Sequence, residues 1–136
     1  MTVFSKSYLR QVVETQGELF DMFARRYSNC DTDDFIVWYM CGRTRAAIDA
    51  GQAYVCTMSA EGLLERFLSE DGYLPKEGVA MSGFMPDWIG RFYAYFQWAK
   101  EKSSAETLAA VPLAYLKSAY PGLHDLELDL AVAKVA

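Results

Sequence analysis

Hydrophobic positions recur at helical spacing along most of the chain. Over residues 5–27, Leu9, Val12, Val13, Leu19, Phe20, Phe23, Ala24 and Tyr27 share one face at 100° per residue, opposite Arg10, Glu14, Glu18, Asp21 and Arg25. This predicts an amphipathic helix. Gln16 falls inside the apolar arc. A buried amide must find partners, so Gln16 either bonds a neighbouring helix, which is the favoured reading, or lines a cavity.

The next segment, CDTDDFIVWYMCGRTRAAID, opens with Asp31, Thr32, Asp33 and Asp34, good cap and first-turn residues that complement the helix dipole. An Asp-rich run also suits a divalent metal or a phosphatase-like site. Those need further carboxylates or a preceding strand, so capping is the better account. Phe35 to Cys41 point in every direction for two turns, as expected of a helix central in its bundle or with one face in an interface. Residues 51–58 hold the β-formers Tyr54, Val55, Cys56 and Thr57, too few to nucleate a sheet, and read as an extended connector. Residues 59–70 form a third helix with Ser59 as cap, followed by a Gly- and Pro-rich loop to about residue 83.

The fourth segment, MPDWIGRFYAYFQWAKEK, has Pro86 and Asp87 at a favourable helix start. Trp88, Ile89, Phe92, Tyr93, Tyr95, Phe96 and Ala99 make a wide apolar stripe, with Gly90, Gln97 and Glu101 opposite. Trp98 lies outside the stripe between Arg91 and Glu101, either as a lone exposed ring or as an anchor for a partner. Ser103 and Glu106 have capping-box spacing, and Pro112 divides two short helices. Pro121-Gly122 then reads as a firm stop. Residues 126–130 alternate like a strand, yet their Leu, Glu and Ala content and Asp125 as a cap favour helix, so residues 125–135 stay open between the two.

The pattern therefore predicts an all-α fold, a compact bundle of five to seven helices in a single domain over residues 1–136, admitting one short β pairing between residues 53–57 and 79–82. Composition agrees. The 136 residues are 52% hydrophobic and 15% aromatic, which excludes disorder. A net charge of −5 with no basic arm disfavours nucleic-acid binding. Arg25-Arg26 and Arg43/Arg45 are the local positive features and read as solvated helix surface. No apolar run reaches the roughly 18 residues of a membrane span, and charge interrupts the first residues before a signal-peptide core forms, so the expected location is cytoplasmic.

Candidate chemistry is sparse. Cys30, Cys41 and Cys56 form no C-x-x-C and read as reduced, mostly buried thiols; with His124 as the single histidine, no metal site or cofactor is expected. The one compact acid/base pair is His124-Asp125, and a histidine there reads as a capping or turn residue at a helix start. No nucleophile elbow, phosphate loop or dinucleotide fingerprint is present.

Three segments, FIVWYM (residues 35–40), PDWIGRFYAYFQW (residues 86–98) and GLHDLELDLAVAK (residues 122–134), resemble small helical bacterial proteins of uncharacterised function that accompany toxin–antitoxin-like gene clusters. The resemblance covers most of the chain. It implies a protein that binds and restrains a partner, and it carries no catalytic motif and transfers no residue role. The acidic balance suits a basic partner.

Two functions follow as expectations. One is a non-enzymatic, antitoxin-like interaction or regulatory module that meets a partner protein, or a second copy of itself, through Trp98, Trp38 and Arg91. The other is a small-ligand-binding protein or enzyme with a pocket between the first and fourth helices, lined by Gln16, Tyr93, Tyr95 and His124. On that second reading, Gln16→Leu removes a costly buried amide and keeps or raises stability.

Overall fold

The computed structural model describes residues 3–135. A 3-10 turn, Lys6–Tyr8, leads into α1 (Leu9–Arg26); there follow α2 (Thr32–Met40), α3 (Arg43–Asp49), α4 (Ala53–Cys56), α5 (Ala60–Ser69), α6 (Met85–Lys100), α7 (Ser104–Ala110), α8 (Leu113–Leu123) and α9 (Leu128–Val135). The fold is all-α. The described residues hold nine α-helices rather than five to seven, because one predicted segment is divided and the connector is itself helical.

The architecture is organised by α1 and α6, which cross with their backbones in contact. A Cβ at Gly90 would stand 2.5 Å from the Gln16 carbonyl oxygen, and one at Gly17 would stand 2.8 Å from the Arg91 Cγ and 2.9 Å from the Asp87 carbonyl. Two glycines facing each other let the helix axes approach more closely than any side chain allows. The expectation that Gly90 and Gln97 form the polar, outward face of this helix is corrected here: both are buried, and α6 is enclosed on both sides. Its aromatic face meets the C-terminal helices, where Tyr93 donates to the Val111 carbonyl at 2.7 Å and Trp88 meets Tyr120 edge-on at 5.4 Å. Ala99, placed in the apolar stripe, is exposed near the helix end.

A second aromatic layer lies between α1, α2 and α5. Phe23 stacks on Phe35 at 3.9 Å, and Phe35, Tyr39, Phe67 and Tyr73 pack edge to face or stacked around it. Such pairs add to the burial of their own large apolar area. The buried apolar residues join into one cluster running from Phe4 to Val132.

Local signals account for most boundaries. Asp31 caps α2 by accepting from the Asp34 amide at 3.0 Å, Ser59 caps α5, and Ser103 with Glu106 forms the reciprocal capping box of α7. Four expectations are corrected. Residues 32–49 are two helices, not one. The break comes at Gly42, where a Cβ would lie 2.5 Å from Asp71 Oδ2, and Asp71 takes up the start of α3 by accepting from the Thr44 amide at 3.1 Å and the Thr44 hydroxyl at 2.7 Å. Residues 53–57 do not pair with 79–82. Gln52 and Ala53 carbonyls accept from the Val55, Cys56 and Thr57 amides, which satisfies that backbone in a single helical turn without a partner strand. The one isolated bridge among the described residues joins Cys30 and Glu77.

Pro121 does not stop α8, which runs through it to Leu123. It sits in the last turn, so one missing amide donor and one ring contact are the whole local cost, and the His124 amide closes the helix on the Tyr120 carbonyl at 3.0 Å. The open choice for the C-terminal segment resolves as helix α9, beginning at Leu128 rather than at Asp125. No helix among the described residues is long and apolar enough to cross a membrane.

The close crossing makes Gly90 sensitive to a single methyl group. Gly90→Ala should lower the unfolding free energy by about 1 to 3 kcal/mol, since backbone cannot move aside as a side chain can. Denaturant unfolding checks this, and an unchanged midpoint would mean that the two helices are not in backbone contact.

Candidate functional site

Two places concentrate polar or exposed side chains where a folded interior does not require them: a charged cluster in the core and a cleft beside α2.

The core cluster is built on Arg45 of α3, whose side chain has no exposure to solvent. Its Nε donates to Gln16 Oε1 at 2.7 Å, one terminal nitrogen donates to Asp49 Oδ1 at 2.7 Å, and the other donates to Gln97 Oε1. Gln97 also donates through its amide nitrogen to Asp49 Oδ1, while the Ser104 amide and hydroxyl donate to Asp49 Oδ2 at 2.9 and 3.0 Å. Gln16 Nε2 completes the set by donating to the Gly90 carbonyl at 2.8 Å. The Arg45 guanidinium also lies 5.8 Å from the centre of the Phe4 ring, within cation–π range.

A buried ion pair is tolerable only when the lone pairs and protons around it are satisfied. Here both carboxylate oxygens and all three guanidinium nitrogens have partners, drawn from α1, α3, α6 and the start of α7. The expectation that Arg43/Arg45 is a solvated pair is therefore corrected for Arg45. The signal was present: Asp49 stands four residues after Arg45, with Thr44 and Ile48, both also buried, beside the pair, and Gln16 sits on an apolar arc.

The cleft has a volume of about 510 Å³ and lies between the α2–α3 turn and the chain leaving α5. Phe67 and Tyr73, both buried, form its floor. Trp38, 60% exposed, and Leu74, 83% exposed, stand at its edge. Arg43, Lys76 and Cys41 also open onto it. Cys41 is exposed and Cys30 half-buried, which corrects the expectation of mostly buried thiols; Cys56 is buried.

The predicted site residues separate. Trp38 is at the cleft. Trp98 is half-buried, edge-on to the Tyr95 ring at 6.0 Å and packed against the core, so it does not stand out from a polar face. Arg91 is bound to Asp87 at 2.6 Å and opens onto a different, open groove between α1 and α6. That groove is where a pocket between the first and fourth helices was expected, and it is lined by charged and polar side chains, among them the pairs Arg10–Glu14 and Arg91–Asp87. Gln16, Tyr93, Tyr95 and His124 line neither the groove nor the cleft. Gln16 and Tyr93 are committed to internal hydrogen bonds. His124 is at the end of α8 rather than at a helix start, with Nδ1 donating to the Tyr120 carbonyl at 2.9 Å and the ring stacked on Tyr120. Its Nε2 lies 3.3 Å from Asp125, but that carboxylate is 86% exposed, where an ion pair is weak.

Burial holds the phenols of Tyr39, Tyr73 and Tyr93 well above their ordinary value; for Tyr73 the hydrogen bond it donates to Asp34 at 2.8 Å adds to this. Compared with known protein families, with curated proteins and with solved structures, the chain has no match.

Two outcomes are expected. Asp49→Ala leaves a buried guanidinium without its counter-charge and should cost about 3 to 5 kcal/mol of unfolding free energy. Gln16→Leu, which as a pocket change would keep or raise stability, should instead cost about 1 to 3 kcal/mol, because Arg45 Nε loses its acceptor. A neutral result for both in denaturant melts would contradict the cluster.

The tyrosines set an alkaline limit. The native state holds their protons while unfolded tyrosine ionises near 10.0, so this stabilisation is complete below about pH 10 and is lost as pH rises beyond it. A pH series of melting curves should show this loss on the alkaline side. Phenolate absorbance from these rings should appear together with unfolding, not before it.

Proposed function

We propose that this protein is a non-enzymatic interaction module that docks a partner protein through the cleft beside α2. The observation that carries the proposal is Trp38: a tryptophan 60% exposed at the edge of an apolar cleft, next to Leu74 at 83% exposed. Large aromatic side chains held over a buried floor are the usual anchors of protein interfaces. The one buried charged cluster among the described residues supports the same reading by being closed: Arg45 and Asp49 spend their hydrogen bonds on one another and on Gln16, Gln97 and Ser104, and offer nothing to a reactant. The likeness of three segments to helical proteins of toxin–antitoxin-like clusters supports a partner that is bound and restrained. Trp98 and Arg91 lie outside the cleft.

A second reading has one observation in its favour. A volume of about 510 Å³ falls within the range of small-ligand pockets. The cleft then replaces the expected pocket between the first and fourth helices.

Native mass spectrometry of the protein recovered gently from its source cells separates the two, and a stoichiometric polypeptide, either a partner or a second copy, is expected. Trp38→Ala should weaken that association by about 2 kcal/mol and leave the melting temperature nearly unchanged, because most of the ring is already in water. Unchanged affinity removes the cleft from the interface. A retained small molecule on a bare chain, lost in Trp38→Ala, moves the assignment to ligand binding.

A further inference from the structure

Helix α2 buries one side and leaves the other open. Phe35, Ile36, Tyr39 and Met40 are buried. Val37, Trp38 and Cys41 are exposed, and with the half-buried Asp34 they fall within an arc of about 100° on the opposite side.

The charges beside this stripe have an order along the helix. At its start stand Asp34 and Lys76, whose carbonyl accepts from the Asp31 amide at 2.7 Å. At its end stand Arg43 and Asp71, which accepts from the Thr44 amide at 3.1 Å. Each end carries one acid and one base, and the four sum to zero. Among the described residues neither Arg43 nor Lys76 has an ion pair.

Such a stripe is complementary to its own copy. When two α2 helices lie antiparallel and cross at Trp38, residues equidistant from Trp38 face each other. Asp34 of one copy then meets the Gly42–Arg43 turn of the other, and Lys76 of one copy stands toward Asp71 of the other. A parallel pairing sets like charges together. Two chains of net charge −5 repel overall, and a patch of zero sum is where they approach at least electrostatic cost.

We infer that the occupant of the cleft is a second copy of this chain, held in a twofold, antiparallel contact of α2 on α2. The two Trp38 rings meet on the axis, each over the mouth of the other copy's cleft, with Arg43 and Asp34 paired across the seam at both ends. This rests on the docking role proposed for the cleft and names what docks. Cys41 stands three residues beyond the crossing point, so the two exposed thiols are offset by about 9 Å along the axis.

The test is sedimentation equilibrium of the full chain over a concentration series. The mass should rise from one chain to two. Trp38→Ala should raise the dissociation constant about thirtyfold. Arg43→Glu, at an exposed position, should melt with the parent and dimerise about tenfold more weakly, since it sets two carboxylates against each other at each end. Mixing Arg43→Glu with Asp34→Lys should restore the dimer, because one seam keeps its native pair and the other gains the reversed one. A short bis-maleimide should join two chains of the native protein and fail with Cys41→Ser.

A dimer lost in Trp38→Ala but indifferent to Arg43→Glu, or one that resists linking through Cys41, would overturn the antiparallel seam. A dimer indifferent to Trp38→Ala would place self-association elsewhere and overturn the inference. A single chain at every concentration would overturn the second copy. A different polypeptide held in a Trp38-dependent way in the native mass spectrum would then keep the cleft as a docking site, and its absence would overturn that reading as well.

Discussion

A guanidinium with no exposure to water is the constraint around which the rest of this fold is arranged. Desolvating such a charge costs several kcal/mol, and the cost is offset only where the partners are all in place at once. Gln16 comes from α1, Asp49 from the same helix as Arg45, Gln97 from α6 and Ser104 from the start of α7. Four elements that would otherwise meet through non-directional apolar contacts are given one registration. The facing glycines of α1 and α6 act in the same place, since Gly90 both allows the close crossing and supplies the carbonyl that holds Gln16 in position.

The cleft is a consequence of that arrangement. Helix α3 is held from the inside by Arg45 and from the outside by Asp71, which meets the amide and hydroxyl of Thr44. With α3 fixed, the chain must turn sharply at Gly42, and the turn leaves Trp38 and Arg43 on the rim rather than in a continuous helix face. The neighbouring wall is the Tyr73 segment, tied to α2 through Asp34. Two carboxylates thus brace the walls of the cleft through hydrogen bonds to neutral donors. The interior cluster is thus closed within the fold, while the cleft opens on the surface.

Much of the fold was legible where one residue acts on its own neighbours. The amphipathic face of α1, the caps at Asp31, Ser59 and Ser103, and the buried amide of Gln16 all follow from spacing within a few turns. What could not be read depends on remote partners. Gly90 and Gln97 look like a polar face on a wheel, because a wheel assumes that a helix buries one side, and α6 buries both. Arg45 looks like a solvated cation until Gln16, 29 residues earlier, and Gln97, 52 residues later, are brought to it. The break at Gly42 is set by Asp71, a residue of another segment. Of the residues lining the cleft, Trp38 was legible as a ring on a helix with too many apolar directions. Leu74, Lys76 and Tyr73 were not, since their loop carries no periodicity and acquires meaning only beside α2.

The most direct test of this account is the exchange rate of the Arg45 guanidinium Nε proton with solvent, followed by nuclear magnetic resonance on the native protein. A proton bonded to Gln16 inside a closed cluster should exchange only through global unfolding, with a protection equal to the measured unfolding free energy. Rapid exchange under native conditions would contradict the account. It would mean that water reaches the Arg45–Asp49 pair and that the polar core of the molecule is an open site rather than a structural one.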